Sequence, residues 1–325
     1  MKICIRTDGG CFIGLGHIIR TLALSKELRK NHEVFYVCRL SKNNPMKYLP
    51  GINLVKENGF NVIEIEEEKL IDEIVNIDAD LIITDSYEAD ENYYNVLKER
   101  FNISGCLDDE KCCEYFNVDF LINQNPYGKD INYKVNDNTE LLLGTKYIIL
   151  RDKFLKNDIR VINEEMSKIM ITVGGSDNNN ITEAIIKELL VLNKELFIIV
   201  GPGFKYADKL KKYENGKVHL CFNVDIKYYM KLCDVAIASC GSTLYELASV
   251  GIPTLGIVVV DNQVLAAKTM EKLDIIKYSK IENLRNDLIN LSYDKRKLMS
   301  SNGQKLIDGK GIERIVDVLE RRFLR

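Results

Sequence analysis

Short apolar runs alternate with amphipathic stretches along nearly the whole chain, and that alternation leaves few folds open. Residues 2–6, 33–38, 61–65, 81–84, 103–107 and 120–122 have the length and apolar content of strands. Between them, residues 18–30 and 91–101 carry helical periodicity. In the first of these, Leu22, Leu24 and Leu28 make one buried stripe beside Lys26, Glu27 and Arg29. Strand–helix–strand alternation gives right-handed crossovers and a parallel sheet. The rhythm breaks at residues 132–163, which are read as the crossover between two domains. A second series follows at 168–173, 196–200, 217–222, 235–238 and 254–259, and a helical run at 312–323 closes the chain. The expectation is an α/β protein of two Rossmann-like doubly wound domains, residues 1–150 and 151–325. Their carboxyl edges should face a cleft, the default ligand site of such folds.

The length of 325 residues agrees with two domains at roughly 100–200 residues each. The 45 basic and 48 acidic residues leave a net charge of −3. That balance argues against nucleic acid or an anionic membrane as the main partner. No apolar run approaches the roughly 20 residues of a membrane span, and the first strand begins without a leader pattern. A soluble, cytoplasmic protein is expected. Nine scattered cysteines, with Cys112 and Cys113 adjacent and no C-x-x-C spacing, point to buried reduced thiols rather than a metal centre. Cys11 and Cys240 lie beside the ligand motifs described next, where packing is preferred over reactivity.

Gly14-Leu15-Gly16-His17-Ile18-Ile19-Arg20 follows the first strand directly. It is a turn that delivers a histidine to a helix start at a carboxyl sheet edge. The chain has only three histidines, so this placement stands out. A histidine there is either a base working near neutral pH or a helix cap. Arg20 lies one turn further on, on the same face, where it either orients substrate or closes a domain interface. Asp8 either fixes the histidine tautomer or pins the loop, the loop being favoured. The Gly-x-Gly pair is no dinucleotide fingerprint, because Ile19 stands where the third glycine belongs.

The second motif covers residues 235–263. Gly241 makes a turn after a strand, and Ser242-Thr243 open a helix. Free backbone N–H groups and the helix dipole suit that start to a diphosphate. Glu246 lies about one turn in, within reach of a ribose. Gly251 ends the helix, Pro253 leads into the next strand, and Asp261-Asn262-Gln263 follow that strand toward the same cleft. Each element has an ordinary structural reading as cap or surface charge; their order and spacing together make the motif specific. Gly174-Gly175-Ser176-Asp177, after the first strand of the second series, is a further glycine loop suited to close ligand approach.

Taken together, these segments resemble the two-domain nucleotide-sugar enzymes of glycosyltransferase-B architecture. Within that architecture they resemble the pseudaminic-acid-pathway family that hydrolyses UDP-2,4-diacetamido-2,4,6-trideoxy-β-L-altropyranose and is grouped with SpsG. Residues 81–87, 121–125, 151–154 and 308–314 are similar to further family segments. The resemblance implies that Gly175, Ser242, Thr243 and Glu246 hold diphosphate and ribose, and that the Phe222-Asn223-Val224 segment reads uracil. Gln263 is placed with this nucleotide group. His17, Tyr87 and Asn262 are implied around the sugar and its attacking water, with Asp8, Gly16 and Arg20 as substrate contacts. The loop Gly9-Gly10-Cys11-Phe12 departs from the family's serine-bearing pattern.

The reaction so implied is release of UDP by water, with His17 as base. UDP is a good leaving group, so the two carboxylates of an ordinary glycosidase are not needed. No cofactor and no metal are expected. Asp78-Ala79-Asp80 has the form of a metal–sugar motif but precedes its strand, on the amino edge. The competing readings are a glycosyltransferase of the same architecture using a UDP-sugar donor, and a non-enzymatic nucleotide-sugar sensor.

Overall fold

The structure is a computed structural model that describes residues 1–10 and 13–324. Cys11, Phe12 and the terminal Arg325 lie outside the described residues, and with them the expectations for Cys11 and its loop. The chain divides into two compact units, Met1–Asp152 with Lys310–Arg325, and Lys153–Gly309.

The first unit runs β1 (Lys2–Thr7), α1 (Gly16–Leu28), β2 (Glu33–Leu40), α2 (Leu49–Glu57), β3 (Val62–Glu66), α3 (Leu70–Ile74), β4 (Leu81–Asp85), α4 (Glu91–Arg100), β5 (Ile103–Leu107), β6 (Tyr115–Phe116), β7 (Phe120–Asn123), β8 (Lys134–Val135) and β9 (Glu140–Leu143). Seven of these strands form one sheet in the order β3-β2-β1-β4-β5-β7-β9, and every pairing in it is parallel. Parallel strands are covered on both faces, which is why the central ones are apolar without alternation: Ile3, Cys4, Ile5, Leu81, Ile82 and Ile83 are all fully buried. Asp90 starts α4 by accepting the Tyr93 amide at 2.8 Å, and Lys98 and Arg100 sit in its last turn against the dipole.

The second unit runs β10 (Lys168–Thr172), α5 (Ile181–Leu189), β11 (Glu195–Val200), α6 (Ala207–Leu210), β12 (Val218–Phe222), α7 (Ile226–Leu232), β13 (Val235–Ser239), α8 (Thr243–Val250), β14 (Thr254–Ile257), α9 (Gln263–Lys272), β15 (Ile276–Tyr278), α10 (Leu284–Ile289) and α11 (Tyr293–Leu306). Its sheet order is β12-β11-β10-β13-β14-β15, again parallel throughout. Both sheets reverse direction of growth beside their first strand. The switch points therefore lie between β1 and β4, and between β10 and β13, where α/β sheets open a crevice at the carboxyl ends of the strands.

Two departures from the sequence reading concern the stretch read as a crossover and the chain end. Glu140–Leu143 is not connection but the edge strand β9, paired to β7. The closing helix α12 (Gly311–Arg322) belongs with the first unit, not the second. The reason is its apolar stripe: Ile312, Ile315, Val316 and Leu319 are all buried, at helical spacing. Burying such side chains contributes roughly 1.5–3 kcal/mol each. Phe323 meets Phe120 of β7 at 5.6 Å between ring centroids, and Asn31 donates to Glu320 at 2.9 Å. No helix among the described residues is long and apolar enough to cross a membrane.

Candidate active site

At the switch point of the first sheet, the turn after β1 delivers His17 into α1, and β4 ends on Asp85 beside it. Thr7 and Asp85 are register partners across β1 and β4. Nδ1 of His17 lies 2.6 Å from Oδ1 of Asp85. Asp85 is 1% exposed. Burial pushes its carboxyl up, but Arg20 and then His17 outweigh that and hold it well below the ordinary carboxylate range. An ionised Asp85 accepts only, so Nδ1 must carry the hydrogen. The imidazole lone pair is then on Nε2.

Arg20 lies between two carboxylates. Its Nε and Nη2 donate to Asp85 at 2.6 and 2.5 Å, and its Nη1 donates to Asp109 in the loop after β5. Nη2 is also 3.2 Å from Nδ1 of His17, but both atoms are donors and share Asp85 as acceptor. Asp109 further accepts from Asn125 Nδ2 at 2.7 Å and from the Tyr87 hydroxyl at 3.3 Å. The Tyr87 ring stands edge-on to His17, 4.5 Å between centroids at 78°. Partial burial of its hydroxyl and the nearby Asp109 push the phenol well above its ordinary value, so Tyr87 is a hydrogen-bond donor and not a base. Gly16 opens α1 in an exposed position.

Asp8 and Arg20, both expected as substrate contacts, are each engaged by partners within the protein. Asp8 is 4% exposed and accepts from the Arg39 backbone N–H at 2.8 Å and Arg39 Nε at 2.7 Å, with Arg6 paired at 2.8 Å. It ties β1 to β2 and does not touch His17; Asp85 does that. Arg20 faces Asp85 and Asp109, which hold its guanidinium in place. Asp85 and Asp109 were not singled out as site residues from the sequence. The one available signal was an acid ending or following an apolar strand.

At the switch point of the second sheet, the glycine loop follows β10 and Gly241-Ser242 follow β13. Ser242 is exposed, Thr243 is half-buried, and Glu246 is 7% exposed. Gly251 ends α8 in the left-handed region at φ 78°, which favours glycine. Asp177 accepts the Ile181 and Thr182 amides at 2.8 and 2.9 Å, so it anchors α5. Gly175 is held by the Gly203 amide, which donates to its carbonyl at 2.9 Å, and a side chain built on Gly201 would meet that carbonyl oxygen at 2.5 Å. Phe222, at the end of β12, is 46% exposed, and Val224 is half-buried. Asn262 is exposed at the start of α9. Gln263 turns its carbonyl to the Val259 amide at 3.0 Å, tying its own loop. These nucleotide candidates thus follow four strands, β10, β12, β13 and β14, at one end of one sheet.

Asp80 accepts the Lys2 amide at 2.8 Å and Asp78 pairs with Lys2 Nζ at 2.9 Å, on the amino edge. Those carboxylates are far from the carboxyl-end cluster. Among the described residues no group of His, Cys, Asp and Glu is arranged to hold a metal ion, and the described cysteines are all unpaired thiols.

No family model matches the chain. It is 31% identical over 273 residues to an uncharacterized protein of Methanocaldococcus jannaschii, covering 78% of this chain and 55% of that protein. It is 29% identical over 240 residues to the Helicobacter pylori protein named pseudaminic acid cytidylyltransferase and UDP-2,4-diacetamido-2,4,6-trideoxy-beta-L-altropyranose hydrolase, covering 70% of this chain and 44% of that one. The chain thus spans about half the length of these two relatives. With the spore coat polysaccharide biosynthesis protein SpsG of Bacillus subtilis it shares 24% identity, covering 98% of each. Among solved structures, MurG of Acinetobacter baumannii superposes with TM-score 0.67 at 13% identity, over 99% of this chain and 100% of that one. The spinosyn rhamnosyltransferase SpnG does so with TM-score 0.65 at 11% identity, over 98% and 100%. At such identities the likeness is one of fold, and the fold is the two-domain glycosyltransferase-B type.

Proposed function

The chain belongs to the family that holds the UDP-2,4-diacetamido-2,4,6-trideoxy-beta-L-altropyranose hydrolases and SpsG, and from that premise we propose that it is a UDP-sugar hydrolase. Its substrate on this reading is UDP-2,4-diacetamido-2,4,6-trideoxy-β-L-altropyranose, and its products are the free sugar and UDP, in pseudaminic acid biosynthesis. The observation that carries the reading is the His17–Asp85 pair at the first switch point, with Nδ1 committed and Nε2 basic. Water attacks the anomeric carbon as Nε2 takes its proton. The new C–O bond forms, the bond to the β-phosphate oxygen breaks, and its electron pair leaves with UDP.

A positioned base of this kind is worth about 10²–10⁴-fold. The charge growing on UDP falls to the α8 start, with Ser242 and Thr243 as donors. Glu246 takes the ribose, the Phe222–Val224 segment takes uracil, and Gly175 lets the diphosphate approach the backbone. Tyr87 and Asn262 hold the sugar and the water. No metal takes part in this scheme, in keeping with the position of Asp78 and Asp80 on the opposite edge. The protein acts in the cytoplasm.

The test is UDP release, in EDTA and without acceptor, from that sugar nucleotide and from UDP-GlcNAc. Release from the first alone supports a metal-free selective hydrolase. UDP binding without release from either would move the function to a glycosyltransferase, a reading favoured by the shared fold of a rhamnosyltransferase.

A further inference from the structure

We propose that Asp109 is a positioning residue for His17, acting through Arg20 and Tyr87; this rests on the reading of His17 as the base. Asp109 sits one loop away from the histidine, in the connection after β5, and its side chain is 14% exposed. Four segments converge on it or on its partners: α1 through Arg20, the loop after β4 through Tyr87, the loop after β5 itself, and the loop after β7 through Asn125.

The charge arithmetic gives Asp109 its part. Arg20 alone would neutralise Asp85, and His17 would face a pair of no net charge. With Asp109 on Nη1, the set of two carboxylates and one guanidinium carries one net negative charge. That surplus charge supports the imidazolium formed when His17 takes a proton, in a site of low exposure where such interactions are strong. The geometry acts in the same direction. Nη1 held by Asp109 leaves Nε and Nη2 aligned on both oxygens of Asp85, which in turn fixes Nδ1. The Tyr87 hydroxyl held by the same carboxylate sets the ring that stands edge-on to the imidazole. Outer partners that orient a reacting histidine in this way have large effects because small misplacements are costly.

The experiment compares the full-length wild-type chain with Asp109→Asn, which keeps the side-chain volume, and Asp109→Ala. Two readouts are taken: steady-state UDP release, and the ¹⁵N resonances of His17, identified by their loss in His17→Ala. The expected result is a fall in kcat of about tenfold or more. KM and UDP affinity stay within about twofold. The His17 resonances lose the pattern of a single Nδ1-protonated tautomer. Wild-type kcat would overturn the assignment. So would a loss of activity with unchanged His17 resonances, which would leave Asp109 a merely structural part. The resonance readout needs no substrate. A chain that releases no UDP, yet whose His17 tautomer responds to Asp109→Asn, would therefore sink the hydrolase reading and keep the positioning one.

Discussion

Nδ1 of His17 and Oδ1 of Asp85 are 2.6 Å apart although 68 positions separate them in the chain. The contact depends on the fourth strand lying directly against the first, in parallel register. It fixes which imidazole nitrogen is basic, and so which atom must meet a reacting water.

His17→Ala and His17→Asn should abolish UDP release while UDP affinity stays within a few-fold. Asp85→Asn should lower the rate by about 10²–10⁴-fold, because an amide there no longer demands the Nδ1-protonated tautomer. Rates from UDP release and affinities from calorimetry decide it. Turnover retained in His17→Ala would place the base elsewhere.

Glu246 is buried one turn inside α8. If it takes the ribose hydroxyls, Glu246→Ala should weaken UDP binding by about 1–2 kcal/mol, the scale of a lost hydrogen bond to a charged group. Calorimetric titration with UDP reads this directly. Unchanged affinity would mean that the ribose lies against other residues.

Acid should destabilise the first unit through Asp8 as well as Asp85. Burial raises the Asp8 carboxyl, but Arg6 and Arg39 together hold it below its ordinary value of 3.8. A depressed native value means that the unfolded chain binds the proton more readily. The stabilisation is thus fully present above the ordinary value, and it is lost as pH falls below 3.8 toward the native value. Melting temperature should be insensitive to these two groups above about pH 5 and drop below about pH 4. Asp8→Asn should cost about 3–5 kcal/mol at neutral pH, since Arg6 would be left buried without its carboxylate, and its acid slope should be shallower. Equal slopes in the two proteins would remove Asp8 from the account.

Cys240 borders the Gly241-Ser242 turn but is 3% exposed, and burial pushes its thiol up to about 12. At neutral pH about one thiol in ten thousand or fewer would be ionised. Iodoacetamide should therefore leave Cys240 unmodified in the native protein, with modification appearing only on unfolding. Peptide mass mapping after brief labelling checks it; rapid native labelling would show a thiolate the packing does not allow.

Much of this arrangement is legible in the sequence, because it is local. A turn after a strand, a histidine at the helix start and a Gly-Ser-Thr helix opening are each written within a few consecutive residues. What escaped is what the sheet order decides. Nothing in the spacing of residues 81–85 says that their strand pairs with the first, so Asp85 could not be joined to His17. Asp8 is implied as a substrate contact by the resemblance alone, while its own position suggests a loop anchor. Only the register of β2, which brings Arg39 alongside, shows which groups hold it. Residues 140–143 are too short and too flanked by charge to be read as a strand without their neighbour β7.

The return of α12 to the first unit makes the histidine-bearing half discontinuous, while residues 153–309 form one uninterrupted stretch. Synthesis therefore completes the second unit before the first can close. A chain cut after Gly309 would retain every nucleotide candidate and lose α12, which packs against α1, so damage at the carboxyl terminus should be felt at the opposite end of the sequence, where His17 lies.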